Sequence, residues 1–106
     1  MRNRKDLSPV FKNILASRYD SYKVYFQPPA GQKMEYPCIT YALTDIPEEY
    51  ADNKSFIRHK HYIVTLIGFD ADNDDIIEQL LDLQYCSYDR RFISDNLYHD
   101  VFDLYY

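Results

Sequence analysis

Apolar side chains recur with a period of two along two stretches in the middle of the chain, and this pattern restricts the fold more than any other feature. The first stretch covers residues 38–44 and the second covers residues 57–69. A period of two is typical of β-strands, and apolar residues of both parities are typical of a strand that is covered on both faces. We therefore predict two strands, of which the second is central and projects its polar start, residues 58–61, beyond the core. The two apolar parities of its second half are Tyr62, Val64 and Leu66, and Ile63, Ile67 and Phe69.

The first 30 residues predict a helix followed by a short strand. Ser8 is a favourable N-cap, Pro9 suits the first helical position, and Arg18 suits the negative end of the helix dipole. A strand with period two follows over residues 22–27, and Pro28 ends it because proline donates no backbone hydrogen bond. The apolar face of the helix comprises Val10, Phe11, Ile14 and Leu15.

The second half predicts a polar loop over residues 45–55, a second helix and a β-hairpin. The helix follows an acidic turn at residues 70–75, with Asp72 or Asn73 as its cap. The hairpin pairs residues 86–93 with residues 97–106 across the turn Ser94-Asp95-Asn96. The element order is then α-β-β-β-α-β-β. This order indicates an α+β fold in which two helices pack on one face of a mainly antiparallel sheet of about five strands.

Composition excludes several classes of protein. The 106 residues correspond to one domain, 1–106, and the net charge of −5 disfavours wrapping of nucleic acid. Only 2 Gly and 2 Cys are present, which argues against a phosphate-binding glycine loop and a disulfide scaffold. We find no run of about 20 apolar residues and no secretory signal pattern. The chain has 12 Tyr, more than a core of this size needs, and tyrosine is enriched at protein interfaces.

The histidines offer one candidate metal site. His59 and His61 lie two residues apart on the same side of a predicted strand, a spacing that zinc ligands use, and His99 on the last strand is the candidate third ligand. The alternative is a pair of exposed polar residues, because the neighbouring cations Arg58 and Lys60 oppose metal binding. We favour the second interpretation and predict no metal and no cofactor.

The acidic turn offers a second candidate. Asp70, Asp72 and Asp74 alternate like the start of a calcium-binding loop, but Asp75 stands at the position of the required glycine. Leu81 stands where the bidentate glutamate would be. A helix start with a solvated face is the simpler interpretation.

Two further pairs are candidates for chemistry. Cys86 and His99 on the two strands of the hairpin are a candidate nucleophile and base, but both cysteines lie in apolar or aromatic contexts that favour structural burial. Arg90 and Arg91 are candidate phosphate contacts, whereas an ion pair between Asp89 and Arg90 is the simpler account. We therefore predict that the protein is not an enzyme.

Several short motifs resemble small tail-completion proteins of long-tailed bacteriophages, also called tail terminators or tail-to-head joining proteins. Residues 36–41, YPCITY, resemble their YPxIxY strand, and residues 50–54, YADNK, resemble their YADN loop. Residues 86–90, 95–99 and 104–106 resemble their C-terminal hairpin. The resemblance runs from about Tyr36 to the last residue. The chain departs from the family at residues 68–72, where relatives often carry an arginine that is absent here.

The resemblance implies an α+β subunit that assembles as a hexameric ring, caps the tail tube and joins the tail to the head connector. Its partners would be further copies of itself, the tail tube protein and the connector protein, with no specific nucleic acid and no membrane. It would be located in the virion at the tail-to-head junction, and in the bacterial cytoplasm during assembly of the phage or prophage. The alternatives are a head-completion or neck adaptor subunit and, from another class, a small metal-dependent enzyme that uses the three histidines.

We predict two sets of contact residues for such an assembly. Loops tolerate rearrangement and often carry binding, so the polar loop and the start of the next strand are assigned to the interface with the oligomer or the tail tube. The hairpin supplies the second set. The first set is Tyr50, Asp52, Asn53, Lys54, Phe56, Arg58 and His59; the second is Asp89, Arg90, Asp95, Asn96, Tyr105 and Tyr106.

Overall fold

The computed structural model describes residues 3–19, 23–46 and 59–106. These residues form a 3-10 turn, two α-helices and five β-strands in the predicted order. The elements are the 3-10 turn Arg4–Asp6, α1 Leu7–Ala16, β1 Val24–Phe26, β2 Cys38–Asp45, β3 His61–Gly68, α2 Asp74–Leu81, β4 Cys86–Ser94 and β5 Leu97–Tyr105.

The five strands form one sheet in the order β1-β2-β3-β5-β4. Strands β2, β3, β5 and β4 pair antiparallel, while β1 runs parallel to β2. The predicted α+β fold with a mainly antiparallel sheet is confirmed, and β3 is central as expected. Strand β4 lies at one edge of the sheet and the short β1 lies at the other.

Both helices pack on one face of the sheet, where the main core lies. The apolar face of α1 is confirmed, since Phe11, Ile14 and Leu15 are buried and Val10 is half-buried. Of the two apolar parities expected for β3, the even one faces this core. The strand residues buried in this core are Ile39, Tyr41, Tyr62, Val64, Leu66, Phe102 and Leu104.

The prediction that Ser8 caps α1 is wrong. The 3-10 turn leads directly into the helix, so the side-chain cap moves upstream to Asn3, whose Oδ1 accepts the Lys5 N–H at 3.0 Å. The helix ends at Ala16 rather than near Arg18, and the Ser17 hydroxyl donates to the carbonyl of Ile14 at 2.6 Å. Arg18 therefore lies outside the helix and is free to bond elsewhere.

The predicted long strand is shorter than expected within the described residues. Strand β3 spans His61–Gly68, residues 57–58 lie outside the described part, and Phe69 follows the strand with 68% of its surface exposed. The helices cover only one face of β3. On the opposite face Ile67 is buried instead by a small cluster with Cys38 and Leu97.

Helix α2 begins at Asp74 with Asn73 at the cap position, one of the two expected residues. The Asn73 side chain does not bond to the helix N–H groups. It is 1% exposed, donates to the Asp70 carbonyl at 2.7 Å and accepts a hydrogen bond from the Tyr19 hydroxyl. Asn73 thus joins the end of the first helical segment to the start of the second.

Candidate assembly surface

The β4–β5 hairpin forms the most exposed part of the described sheet. Eight of the nine residues of β4 are exposed, and β4 pairs with β5 along one of its two edges. Asp95 and Asn96 form the predicted turn with φ angles of 53° and 63°, a left-handed conformation that short polar side chains tolerate. The outer strand β4 therefore presents a long hydrogen-bonding edge, which we call the hairpin edge.

Apolar side chains accompany this edge. Ile93 is 65% exposed, and Tyr88 and Phe92 are about equally exposed at 41% and 40%. Phe92 stacks on His99 across the hairpin, with 4.6 Å between the ring centroids. Phe92 and its neighbour Ile93 point to opposite faces of the strand. Exposed apolar groups beside a strand edge that pairs with none of the other described strands are typical of a surface that is covered in an assembly.

The charged residues at the middle of β4 pair locally. Arg90 donates to the Asp89 carboxylate at 2.6 Å, so the ion-pair interpretation of these residues is confirmed. A bulge between Tyr88 and Arg90 shifts the strand register there. Bulges of this kind limit uncontrolled pairing of sheet edges, so the edge is suited to a selective partner.

Asp100 is a buried carboxylate that sequence reasoning missed. It has 0% exposure and accepts hydrogen bonds from Arg91 Nε at 2.7 Å, Arg91 Nη2 at 3.1 Å and the Tyr88 hydroxyl at 2.7 Å. The hydrogen bond to Asp100 raises the pKa of Arg91, and burial followed by the Asp100 contact raises the pKa of the Tyr88 hydroxyl. The network joins β4 to β5. The sequence signal for the burial of Asp100 was its position, because it has the same parity along β5 as the core residues Phe102 and Leu104.

His61 lies between two carboxylates at the base of the sheet, the end where β3 begins and β5 ends. Its Nδ1 is 2.7 Å from Asp45 and its Nε2 is 2.7 Å from Asp103. Tyr105 stacks on the ring with the centroids 4.5 Å apart. Burial lowers the pKa of His61, but the hydrogen bonds to both carboxylates outweigh it and the pKa is raised. A doubly protonated ring donates to both carboxylates at once, whereas a neutral ring donates to only one.

This arrangement predicts that stability depends on the protonation of His61. The contribution is fully present below the unfolded-state pKa of about 6.5 and is lost as the pH rises through the higher folded-state pKa. The free energy of unfolding lost in His61→Gln should therefore be larger at about pH 5.5 than at about pH 9. Urea titrations of the wild-type and variant proteins at the two pH values measure this loss. Because the other histidines are present in both proteins, their contributions cancel in the difference. An equal loss at both pH values would contradict the charged His61.

The predicted contact residues fall into separate places. Tyr50, Asp52, Asn53, Lys54, Phe56 and Arg58 lie outside the described residues. His59, Tyr105 and Tyr106 lie together at the base, where His59 packs against Tyr85 and Tyr106 exchanges two backbone hydrogen bonds with Lys60. The turn residues Asp95 and Asn96 lie at the end of the hairpin that is far from the base. Asp89 and Arg90 lie on the hairpin edge, between the base and this turn.

The structure does not bring the histidines together. His61 pairs with Tyr105 in the β3–β5 ladder, while His99 pairs with Ile67, six residues further along β3. At about 3.3 Å per residue this separates the two by about 20 Å. Within residues 3–19, 23–46 and 59–106, no group of three His, Cys, Asp or Glu side chains could hold a metal ion.

The acidic turn is occupied by a guanidinium group. Arg18 donates to Asp70 at 2.7 Å and to Asp75 at 2.9 Å, and also to the carbonyl of Asp72. The hydrogen bond to Asp75 is the main cause that raises the pKa of Arg18. The cation that balances this turn is therefore part of the chain, at a position where we expected only a helix dipole contact.

The cysteine pair is not assembled either. Cys86 pairs with Leu104 and packs against the main core, whereas His99 lies on the opposite face beside Phe92. Burial raises the pKa of Cys86 to about 11 and that of Cys38 to about 12, and both thiols are free. Both thiols are therefore protonated at neutral pH.

Comparison with known proteins gives no family assignment. The sequence matches no model of a known protein family, and a search of curated proteins finds no match. None of the helices in the described part of the chain is long and apolar enough to span a membrane.

Proposed function

We propose that this chain is a structural virion subunit that caps a phage tail tube as an oligomeric ring, a homohexamer, and joins the tail to the head connector. The observation that carries the proposal is the hairpin edge, nine residues of edge strand with exposed Tyr88, Phe92 and Ile93. The motifs shared with tail-completion proteins supply the biological context. The subunit acts by covering surfaces and not by chemistry.

Several features of the described residues support a role in assembly. The sheet is rigid in the middle, where β2, β3 and β5 pair over seven or eight residues in each ladder. Contact groups lie on its periphery, at the hairpin edge and at the base. An assembly subunit needs this division, because a well-ordered scaffold lowers the entropy lost when its surfaces are covered.

The genetic test removes the subunit from the phage that encodes it. Negative-stain images should then show tails of abnormal length, or tails without heads. A gene located away from capsid and tail genes, or normal finished tails on heads after deletion, would sink the proposal. An antibody label at the head side of the neck would instead assign the chain as a head-completion or neck adaptor subunit.

The structural test adds back single variants to the deletion phage. Ile93→Lys places a charge on the hairpin edge and should abolish complementation, while an exposed site of this kind should change stability by less than about 0.5 kcal/mol. Phe69→Lys is the matched control, since Phe69 is 68% exposed and lies outside the hairpin. Normal complementation by Ile93→Lys would show that the hairpin edge is not the contact.

A further inference from the structure

A basic cleft lies at the base of the sheet, on a protein whose net charge is −5. Its volume is about 520 Å³, and it opens between the 3-10 turn and the adjoining ends of β1, β2 and β3. Besides Asn3, three cations and three apolar or aromatic side chains line it. These six are Arg4, Lys5, Lys60, Phe26, Leu43 and Tyr62.

One cation of this cleft is held in place, and none of the three has a carboxylate partner in the part of the chain that the structure describes. Arg4 lies over the Phe26 ring with its Cζ 4.1 Å from the centroid, a cation–π contact that fixes the guanidinium at the wall. Among the described residues, no carboxylate forms a salt bridge with Arg4, Lys5 or Lys60. By contrast, Arg18 pairs with two carboxylates, and Arg90 and Arg91 pair with one each. As far as residues 3–19, 23–46 and 59–106 show, the cleft therefore offers positive charge, fixed at Arg4, to an anion from outside.

The same chain carries a complementary surface on α2. Asp74, Glu78 and Asp82 follow one another at four-residue spacing, which places them on one side of the helix, and all three are exposed. We call this row the acidic stripe. Like charges four residues apart repel one another, and Asp82 also opposes the helix dipole at its C-terminal end. Cations from outside would remove both penalties.

Geometry prevents the two surfaces from meeting within one subunit. Helix α2 packs against α1 and β4 and contacts none of the described elements that line the cleft. The stripe of one copy and the cleft of another can meet, and each copy then keeps a free cleft or a free stripe for the next copy. Such a head-to-tail contact is heterologous, and repeated rotation closes it into a ring.

We propose that the basic cleft binds the acidic stripe of a second copy of this chain. Lys5 and Lys60 face the carboxylates of Glu78 and Asp82, and Leu81, 39% exposed beside the stripe, lies against the apolar wall. Only the step from this contact to a closed ring at the phage neck rests on the proposed function. The contact itself concerns the protein alone.

Charge reversal tests the contact. Lys5→Glu/Lys60→Glu reverses the cleft and Glu78→Lys/Asp82→Lys reverses the stripe, with circular dichroism to confirm folding. Sedimentation of the wild-type chain should show association that increases with protein concentration at about 20 mM salt and weakens at about 500 mM salt. Each variant alone should associate at least about tenfold more weakly. An equimolar mixture of the two should recover association, because every contact in it can again join opposite charges.

Each other result overturns the contact. Wild-type protein that stays monomeric up to about 1 mM at low salt contradicts it, as do variants that associate like wild type or a mixture that recovers nothing. If the cleft variant instead loses only the binding of inorganic phosphate, the cleft is a site for free anions. If charge reversal leaves phage complementation intact while Ile93→Lys abolishes it, this contact fails and the proposed function stands. If the mixture recovers association but the protein is absent from virions, the contact stands and the proposed function fails.

Discussion

Replacing Arg91 with alanine should destabilise the folded chain by about 2–4 kcal/mol, because it leaves a buried carboxylate without its cation. The Asp100 side chain is 1% exposed, so water cannot replace the two hydrogen bonds that Arg91 donates. The Tyr88 hydroxyl alone would remain as a donor. The upper limit of the expected loss in stability lies below that of a fully buried ion pair, because the Arg91 side chain is itself 32% exposed.

The neighbouring arginine is a matched control. Arg90 is 62% exposed and pairs with the exposed carboxylate of Asp89, so Arg90→Ala should cost less than about 0.5 kcal/mol. Tyr88→Phe removes one neutral donor from Asp100 and should cost about 1 kcal/mol. Urea unfolding followed by far-ultraviolet circular dichroism measures all three. Equal losses for the two arginine variants would mean that Asp100 does not depend on its cation.

Such a network explains why the hairpin edge can be exposed and still ordered. Strand β4 buries little apolar surface along its length, since eight of its nine residues are exposed. Its attachment to β5 is reinforced by Arg91 and Tyr88, which converge on Asp100, and by Tyr88 packing edge-on against Phe102 with 5.3 Å between centroids. Polar and aromatic contacts thus hold an edge that the core covers poorly. For an assembly subunit this arrangement leaves the outer surface free for a partner.

The fold was predictable because local patterns agreed with the tertiary packing. The alternation identified β3 as a strand with two apolar parities, of which the structure buries Tyr62, Val64 and Leu66 in the main core. The turn chemistry of Asp95 and Asn96 identified the hairpin, and the left-handed φ angles of both residues explain why. Hydrophobic periodicity and turn residues determine structure over two to ten neighbouring positions. Patterns over this short range can be recognised in a single sequence.

The interactions that the sequence did not indicate are those that join distant segments. Arg18 reaches Asp70 and Asp75 across more than 50 positions, and the Tyr19 hydroxyl reaches Asn73 across 54. Dipole and capping rules consider only the helix in which a residue lies, so they assigned Arg18 to the end of α1. The same limit applies to the basic cleft, because Arg4, Phe26 and Lys60 become neighbours only when the sheet forms.

The cap of α1 failed for a different reason. Ser8 and Pro9 form a good local start signal, but Asn3 offers an equally suitable oxygen five residues earlier. The structure uses the earlier residue because a 3-10 turn precedes the helix, which adds a turn of backbone and brings Leu7 into the core. Burial of one more apolar side chain outweighed a local capping preference.

Replacing Phe11 with alanine should cause a loss of about 3–5 kcal/mol in the free energy of unfolding. Phe11 has 0% exposure and packs edge-on against Tyr41 at 5.2 Å, and Tyr41 in turn contacts Tyr62 at 6.0 Å. This aromatic row joins α1 to β2 and β3. A domain of this size has about 5–15 kcal/mol of stability in total, so the variant should lose a large fraction of it and would be close to unfolding if the chain lies at the lower end of that range.

Two milder variants make the Phe11 prediction measurable even if the alanine variant does not fold. Phe11→Leu keeps most of the apolar volume and should cost less than about 1.5 kcal/mol, a loss that a urea titration resolves. Lys12→Ala alters the exposed neighbouring position of the same helix and should change stability by less than about 0.5 kcal/mol. If Phe11→Ala unfolds at nearly the same urea concentration as Lys12→Ala, then α1 does not depend on the aromatic row. A large loss with a small control would show that this row holds the helical layer on the sheet, and with it the 3-10 turn that carries Arg4 and Lys5 to the basic cleft.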